Sequence, residues 1–366
     1  MFEYTEKKGL EGLITMKILL LGEYSGLHKY LKSGVQQNGH QCIIATYGDG
    51  WKKILGDISF NSRFSGILGK IDRRLKPFQY INLLTGHDIV QFMATEIFDP
   101  RFGINQMLIN YIIRHNIKSV LMSAGCSPLF WKNIQSSGLT DHPCESCMKY
   151  DLKKLCPLSS KKKLRWNEIM AKKVDAIIPC LFSYEYIYHG YHHLQSSIPI
   201  PIDLSEISYQ PNLVTKKINF LHGINRPGFK GSMIILSALE EMKKKYPNDI
   251  EVKVVKQLPL KEYLKILNRT HILIDQTYGY GLGLNSLQTM ALGKVLMTNF
   301  DRRLYPNDLP VIQIKPFVEN IKKQISYIIE NKNQIENMGY QSRQYVQEYH
   351  DCKKVASQYI RIWSKL

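Results

Sequence analysis

The chain has 366 residues, 44% of them apolar and 22% charged. That usage excludes disorder as the main state, and with no run of 18 apolar residues the sequence also excludes a membrane-spanning helix. Forty-nine Lys and Arg against 31 Asp and Glu give a net charge of +18, spread over both halves, so there is no basic tail; the surface attracts phosphates, or it reflects a Lys-rich composition and nothing more.

A length of this order predicts two domains or three. Residues 1–15 are charged and lack an apolar core, so they do not read as a secretory signal; they are expected to form an extension, and Met16 is a second candidate start. A buried strand is predicted at 17–22, a helix at 27–38 ended by Gly39, and a strand at 41–46. A strand–helix–strand unit of about 30 residues makes its two strands parallel. Further buried strands are predicted at 88–93, 120–123 and 176–180. Residues 198–212 hold three prolines and little periodicity, and read as a linker. A second alternating series follows: strand 218–222, helix 232–246, strand 251–255, helix 260–268, strand 272–275, helix 285–292 and strand 295–298. Residues 317–366 read as helical. The expected architecture is α/β, with a cleft between two domains as the default ligand site.

Two segments carry chemistry. Residues 220–240 read FLHGINRPGFKGSMIILSALE. A strand ends at Gly223, a loop holds Asn225, Arg226, Gly228 and Lys230-Gly231, and a helix follows. Two cations before a helix N-terminus suit a phosphate or diphosphate, although the Walker A spacing is absent. The alternative is an ordinary basic loop. Residues 278–294 read YGYGLGLNSLQTMALGK. Gly279, Gly281 and Gly283 would let a ligand approach the backbone, and free N–H groups at Asn285, Ser286 and Leu287 would make a second anion site. The alternative is a glycine turn required by packing.

Together these segments resemble the GT-B glycosyltransferases, in particular the large retaining group that includes bacterial polysaccharide and lipopolysaccharide enzymes (glycosyltransferase family 4-like). The resemblance lies in Arg226 with Lys230-Gly231, and in Y-G-L-G-L-N-S-L-Q-T-M-A-L-G-K-V from Tyr280 to Val295, where Gly281, Gly283, Leu284, Leu287, Met290, Ala291 and Gly293 fix the register against E-G-F-G-L-P-x-L-E-A-M-A-x-G-x-P. It implies two Rossmann-like doubly wound domains facing a central cleft, at 16–205 (with a Cys-containing insertion about 126–165) and 206–345, and a crossover helix at 346–366 packing back on the first domain.

The resemblance also implies roles. Arg226 and Lys230 would be catalytic, neutralising the departing diphosphate of a nucleoside-diphosphate sugar. The N–H groups near Ser286 and Leu287 would cap it, with Asn225, Gly281, Gly283 and Asn285 lining the site. Gln288 stands where the family has a Glu for the ribose, and Tyr280 where it has a Glu facing the donor sugar; both acids are missing. Gly26, in the loop 22–26, would face the donor from the first domain. The family needs no divalent metal or other cofactor, and no D-x-D stands at a strand end here. The acceptor would be a glycan or a lipid-linked sugar. Base recognition would run through backbone groups near Lys256 and Gln257.

Other residues invite weaker readings. His28 reads as a surface or capping residue. Ser123 to Cys126 and Glu185 are candidates for the acceptor side. Seven cysteines without an export signal point to a reducing, cytoplasmic setting. Cys144, Cys147 and Cys156, with Cys126 or His142, are either reduced thiols or ligands of a structural zinc. Residues 153–173 hold eight Lys and Arg against one Glu; they are a solvated helix face or a face resting on the anionic inner side of the cytoplasmic membrane. The competing functions are a non-catalytic sugar-nucleotide binder of the same fold, a sugar-nucleotide epimerase, and a nucleic-acid binder, for which no reader motif is present.

Overall fold

The computed structural model describes residues 15–135, 140–151 and 156–366. The expected extension therefore lies almost wholly outside the described residues, as do parts of the Cys-containing insertion.

The first domain runs β1 (Lys17–Leu21), α1 (Leu27–Gln37), β2 (Gln41–Thr46), β3 (Ile58–Ser59), α2 (Gly66–Gln79), β4 (Ile89–Phe92), α3 (Ile104–Arg114), β5 (Lys118–Ser123), α4 (Pro128–Gln135), α5 (Cys144–Tyr150), α6 (Lys161–Lys173), β6 (Ala176–Pro179) and α7 (Phe182–Ile187). Its six strands pair in parallel in the order β3-β2-β1-β4-β5-β6. Both faces of such a sheet are covered, which is why β1 reads as an unbroken apolar run and is buried from Ile18 to Leu21.

The second domain runs β7 (Ile218–Ile224), α8 (Pro227–Lys230), α9 (Ser232–Lys245), β8 (Ile250–Lys256), α10 (Leu260–Asn268), β9 (Ile272–Ile274), α11 (Leu284–Ala291), β10 (Val295–Thr298), β11 (Val311–Gln313), α12 (Val318–Glu330), α13 (Ile335–Tyr349) and α14 (Cys352–Trp363). Its sheet is parallel, ordered β11-β10-β9-β7-β8. The strand order reverses between β1 and β4 in one sheet and between β7 and β9 in the other. A crevice opens at the carboxyl ends of such strands, and ligands bind there.

The chain end returns to the first domain, where α14 packs on α1. Contact is close enough that a Cβ on Gly34 would lie 2.0 Å from the Cys352 carbonyl oxygen. The proline-rich segment expected as a linker is extended, but it is held: Ile198, Ile200 and Ile202 are buried, the Ile202 N–H donates to the His350 carbonyl (2.7 Å), and the Cys352 N–H donates to the Ile202 carbonyl (3.0 Å). Prolines there keep the strand-like path without asking for ladder hydrogen bonds.

Candidate active site

Asp275 follows β9 at the foot of the crevice and is buried. Its carboxylate accepts from Lys230 Nζ (2.6 Å), Asn285 Nδ2 (2.6 Å) and Ser286 Oγ (2.7 Å). Burial alone would raise its pKa, but the Lys230 ammonium and the two neutral donors outweigh it and hold the carboxyl below the usual range. This ion pair fastens α8 to the first turn of α11. The join is tight: Gly231 has φ 71°, and a Cβ there would fall 2.0 Å from Thr277 Oγ1. Lys230 is thus committed to Asp275, a residue the sequence reading did not single out.

Arg226 points elsewhere. Its guanidinium donates to Cys126 Sγ (3.3 Å) and Cys147 Sγ (3.2 Å) and stacks 4.1 Å from the centre of the Phe229 ring. Together with Cys144 and Cys156 these groups wall a cavity of about 300 Å³ between the insertion and α8. Burial pushes the Cys144 thiol up to about 12 and raises Cys147 despite Arg226 beside it. The Cys144 and Cys147 thiols are therefore neutral at pH 7, and the guanidinium keeps its charge. The loop expected to cradle phosphate already holds an anion. Asp151, just past α5, accepts from the Gly228 N–H (2.7 Å) and the Phe229 N–H (3.0 Å). A Cβ on Gly228 would lie 2.4 Å from the Ser146 carbonyl oxygen, so the insertion is seated directly on α8.

The other candidates converge on the crevice. Asn225, Asn285 and Gln288 line one cavity of about 60 Å³ with Gln257 and Tyr263, facing Ser25 and Lys52 of the first domain. Lys52, also unforeseen, donates to Ser25 Oγ (2.5 Å) and Asp49 (2.7 Å). Gly26 turns the chain into α1 at φ 101°, but its N–H is spent on Glu23 Oε1 (2.9 Å). Glu23 also accepts from the N–H groups of His28 and Lys29. Desolvation pushes this buried carboxyl up to about 7, although the three N–H groups oppose it. The N-terminus of α1 is therefore capped from within.

In the second segment α11 begins at Leu284, one residue earlier than expected. The Leu287 N–H bonds to the Gly283 carbonyl (3.0 Å), so helix geometry leaves the N–H groups of Leu284, Asn285 and Ser286 for an anion, and Leu287 drops out of that role. Gly283 caps the helix, and among the described residues nothing beyond its chain neighbours lies within 4 Å of where its Cβ would be. Gly281 is required by packing, since a Cβ would meet the Tyr305 hydroxyl at 2.8 Å. Gln288 donates to the Tyr30 hydroxyl of α1 (3.1 Å), and Tyr280 donates to the Thr140 carbonyl (2.7 Å); each ties the second domain to the first.

Several weaker readings change. His28 is fully buried, not on the surface: its Nδ1 hydrogen-bonds the Gly22 carbonyl (2.8 Å), and burial lowers its pKa to about 4. Glu185 accepts from the Ser197 N–H (2.8 Å), and Ser123 donates to the Tyr184 carbonyl (3.3 Å), so both serve the chain itself. Among the described residues no group of three or more His, Cys, Asp or Glu is placed to hold a metal ion. Helix α6 buries Trp166, Met170 and Ala171, and its Lys163 pairs with Glu96 (2.8 Å).

No family model matches this chain, and no curated protein does. Solved structures do. The Anabaena protein Alr3699/HepE, crystallised with UDP and glucose, superposes with a TM-score of 0.63 at 13% identity over 96% of this chain and 100% of its own. The chain has the GT-B fold. Sucrose-phosphate synthase from Thermosynechococcus elongatus gives 0.62 at 10% identity, over 95% of this chain and 98% of its own. WaaG, a glycosyltransferase involved in lipopolysaccharide biosynthesis, gives 0.54 at 11% identity, over 93% and 98%. In this GT-B chain the crevice lies between the two sheets, with Lys52 and Ser25 opposite Asn285 and Gln288.

Proposed function

We propose that the protein is a glycosyltransferase that takes a sugar from a nucleoside-diphosphate donor and passes it to a glycan or lipid-linked acceptor in surface-polysaccharide synthesis, with retention of anomeric configuration and without a resident metal. The observation that carries this reading is the meeting, at the reversal points of both sheets, of Lys52 and Ser25 with Asn225, Asn285, Gln288 and the open first turn of α11. Neighbours of the same fold were crystallised with UDP and with UDP-glucose.

As the anomeric bond breaks, negative charge grows on the leaving diphosphate. The N–H groups of Leu284, Asn285 and Ser286 and the Lys52 ammonium would be aimed at it. Lys230 acts on α11 through Asp275, and Arg226 supplies unneutralised charge behind α8. Preorganised donors of this type are worth about 2.7–4 kcal/mol each when they face charge that develops in the transition state. The cavity of about 60 Å³ is far below the 300–1,000 Å³ or so that small ligands occupy, so donor entry requires the two domains to part.

Titration calorimetry with UDP, GDP and ADP tests the reading. Saturable uptake is expected for at least one, weakened about tenfold or more (about 1.4 kcal/mol) in Lys52→Ala and Asn285→Ala. No uptake of any of the three at millimolar concentration would overturn it. Tyr280 and Gln288, in place of two acids, favour one second reading, a non-catalytic sugar-nucleotide binder. Uptake without transfer from any nucleotide sugar would select it.

A further inference from the structure

Helix α2 is turned inside out. Of its fourteen residues only Gly69 and Pro77 are buried. At 100° per residue, Ile67, Leu68, Ile71, Leu75 and Phe78 fall in one arc of about 100°, the width of a core-facing stripe. All five are exposed, Ile67 at 76% and Leu68 at 69%, with Phe64 exposed just ahead of the helix. Arg73, on the opposite side, lies 4.6 Å from the centre of the Tyr47 ring, and Arg74, at the edge of the stripe, donates from Nε to Asp99 Oδ2 (2.6 Å); together they hold the helix to the domain.

The charges around the stripe are mostly of one sign. Residues 63–79 contain five Lys and Arg and a single Asp. Asp99 is shared between Arg74 and Arg101, and the next residue, Phe102, is 91% exposed and held at φ 54°. Such a conformation is costly for a bulky residue, and here it keeps the ring in solvent. Beside the helix Lys70, Arg73, Arg74 and Arg101 line a cavity of about 670 Å³ at the carboxyl ends of β2 and β4.

An apolar stripe bordered by cations, on a helix lying along the surface, suits the interface of an anionic bilayer. A second copy of the chain fits poorly, because a two-fold contact would set this cationic face against itself. We propose that α2, with Phe64 and Phe102, seats the first domain on an anionic lipid surface. This replaces the basic stretch 153–173 as the lipid-facing element, because the apolar residues of α6 are mostly turned inward. The docking stands independently of the transfer reading, and the cavity beside α2 lies at the carboxyl ends of β2 and β4, the end of the sheet on which the crevice opens.

The test is sedimentation of the full chain with vesicles of phosphatidylcholine alone, or of phosphatidylcholine with about a third phosphatidylglycerol. Binding to the anionic vesicles, weakened by salt and lost at least about tenfold in Ile71→Asp/Leu75→Asp, is expected. Lys70→Gln/Lys76→Gln should weaken it severalfold. Both pairs are exposed or half-exposed, so unchanged melting and unchanged UDP uptake report an intact fold and separate this outcome from that of the transfer reading. Equal binding to both vesicle types, no binding to either, or a dimer abolished by Ile71→Asp/Leu75→Asp would each overturn the proposal.

Discussion

Removing the Asp275 carboxylate should be the most damaging single change in the second domain. Asp275→Ala leaves the Lys230 ammonium and the side-chain donors of Asn285 and Ser286 without their acceptor. Both members of the pair are nearly sealed, at 11% and 3% side-chain exposure, so water does little to replace it. Breaking a buried pair from one side costs about 3–5 kcal/mol. Lys230→Met should cost less, about 1–3 kcal/mol, because the carboxylate keeps two donors. With both changes made at once, as Lys230→Met/Asp275→Leu, no charge remains to be buried. The double variant should lose about 2–3 kcal/mol less than the sum of the singles. At roughly 2–4 °C per kcal/mol, Asp275→Ala lowers the melting temperature of this domain by about 6–20 °C. Thermal melts followed by circular dichroism, with urea midpoints at constant m-value as a check, measure all three. Additive losses, or an Asp275→Ala cost below about 1 kcal/mol, would show that the pair does not organise α8 and α11 as argued.

Three further outcomes follow from the same contacts. Burial holds His28, His222 and His350 near pKa 4, so the unfolded chain takes up protons at about 6.5 that the fold refuses, whereas Glu23, held near 7, binds its proton first in the fold and works in the opposite sense. The net excess in the unfolded state makes stability fall by about 2 kcal/mol for each unit by which the pH is lowered around 5.5, and His350→Gln should roughly halve that slope in urea titrations. Gly34→Ala drives a methyl group into the Cys352 carbonyl; it should cost about 1–3 kcal/mol and speed proteolytic release of α14, read by mass spectrometry. Asp151→Ala frees the Gly228 and Phe229 N–H groups and deletes a carboxylate from the expected cradle; UDP uptake in calorimetry is expected to tighten at least about threefold, or about 0.6 kcal/mol.

What could be read from the sequence and what could not divides along a physical line. Parallel strands covered on both faces must be continuous apolar runs, and Gly22 marks where β1 stops. Hence β1, β2 and β10 were found within a residue, and the resemblance carried by 280–295 led to the correct fold. The two-residue β3 has no period to detect. Helix α2 has a clear stripe, but no rule of spacing says whether a stripe faces core or solvent; that depends on what the rest of the chain covers. The site divides in the same way. Arg226 and Lys230 announce a loop that attracts anions, and the loop does hold them. The anions are the chain's own: Asp151 lies 77 residues before Gly228, and Asp275 lies 45 after Lys230. A cation in a loop states the sign of its partner, while tertiary structure decides which partner arrives. A carboxylate tethered at 2.6–2.7 Å competes at an effective concentration that a free diphosphate must exceed. The donor must therefore win through the open first turn of α11, with Lys52 drawn from its own partner Asp49, or displace Asp151 from α8, and the Asp151→Ala titration separates the two routes.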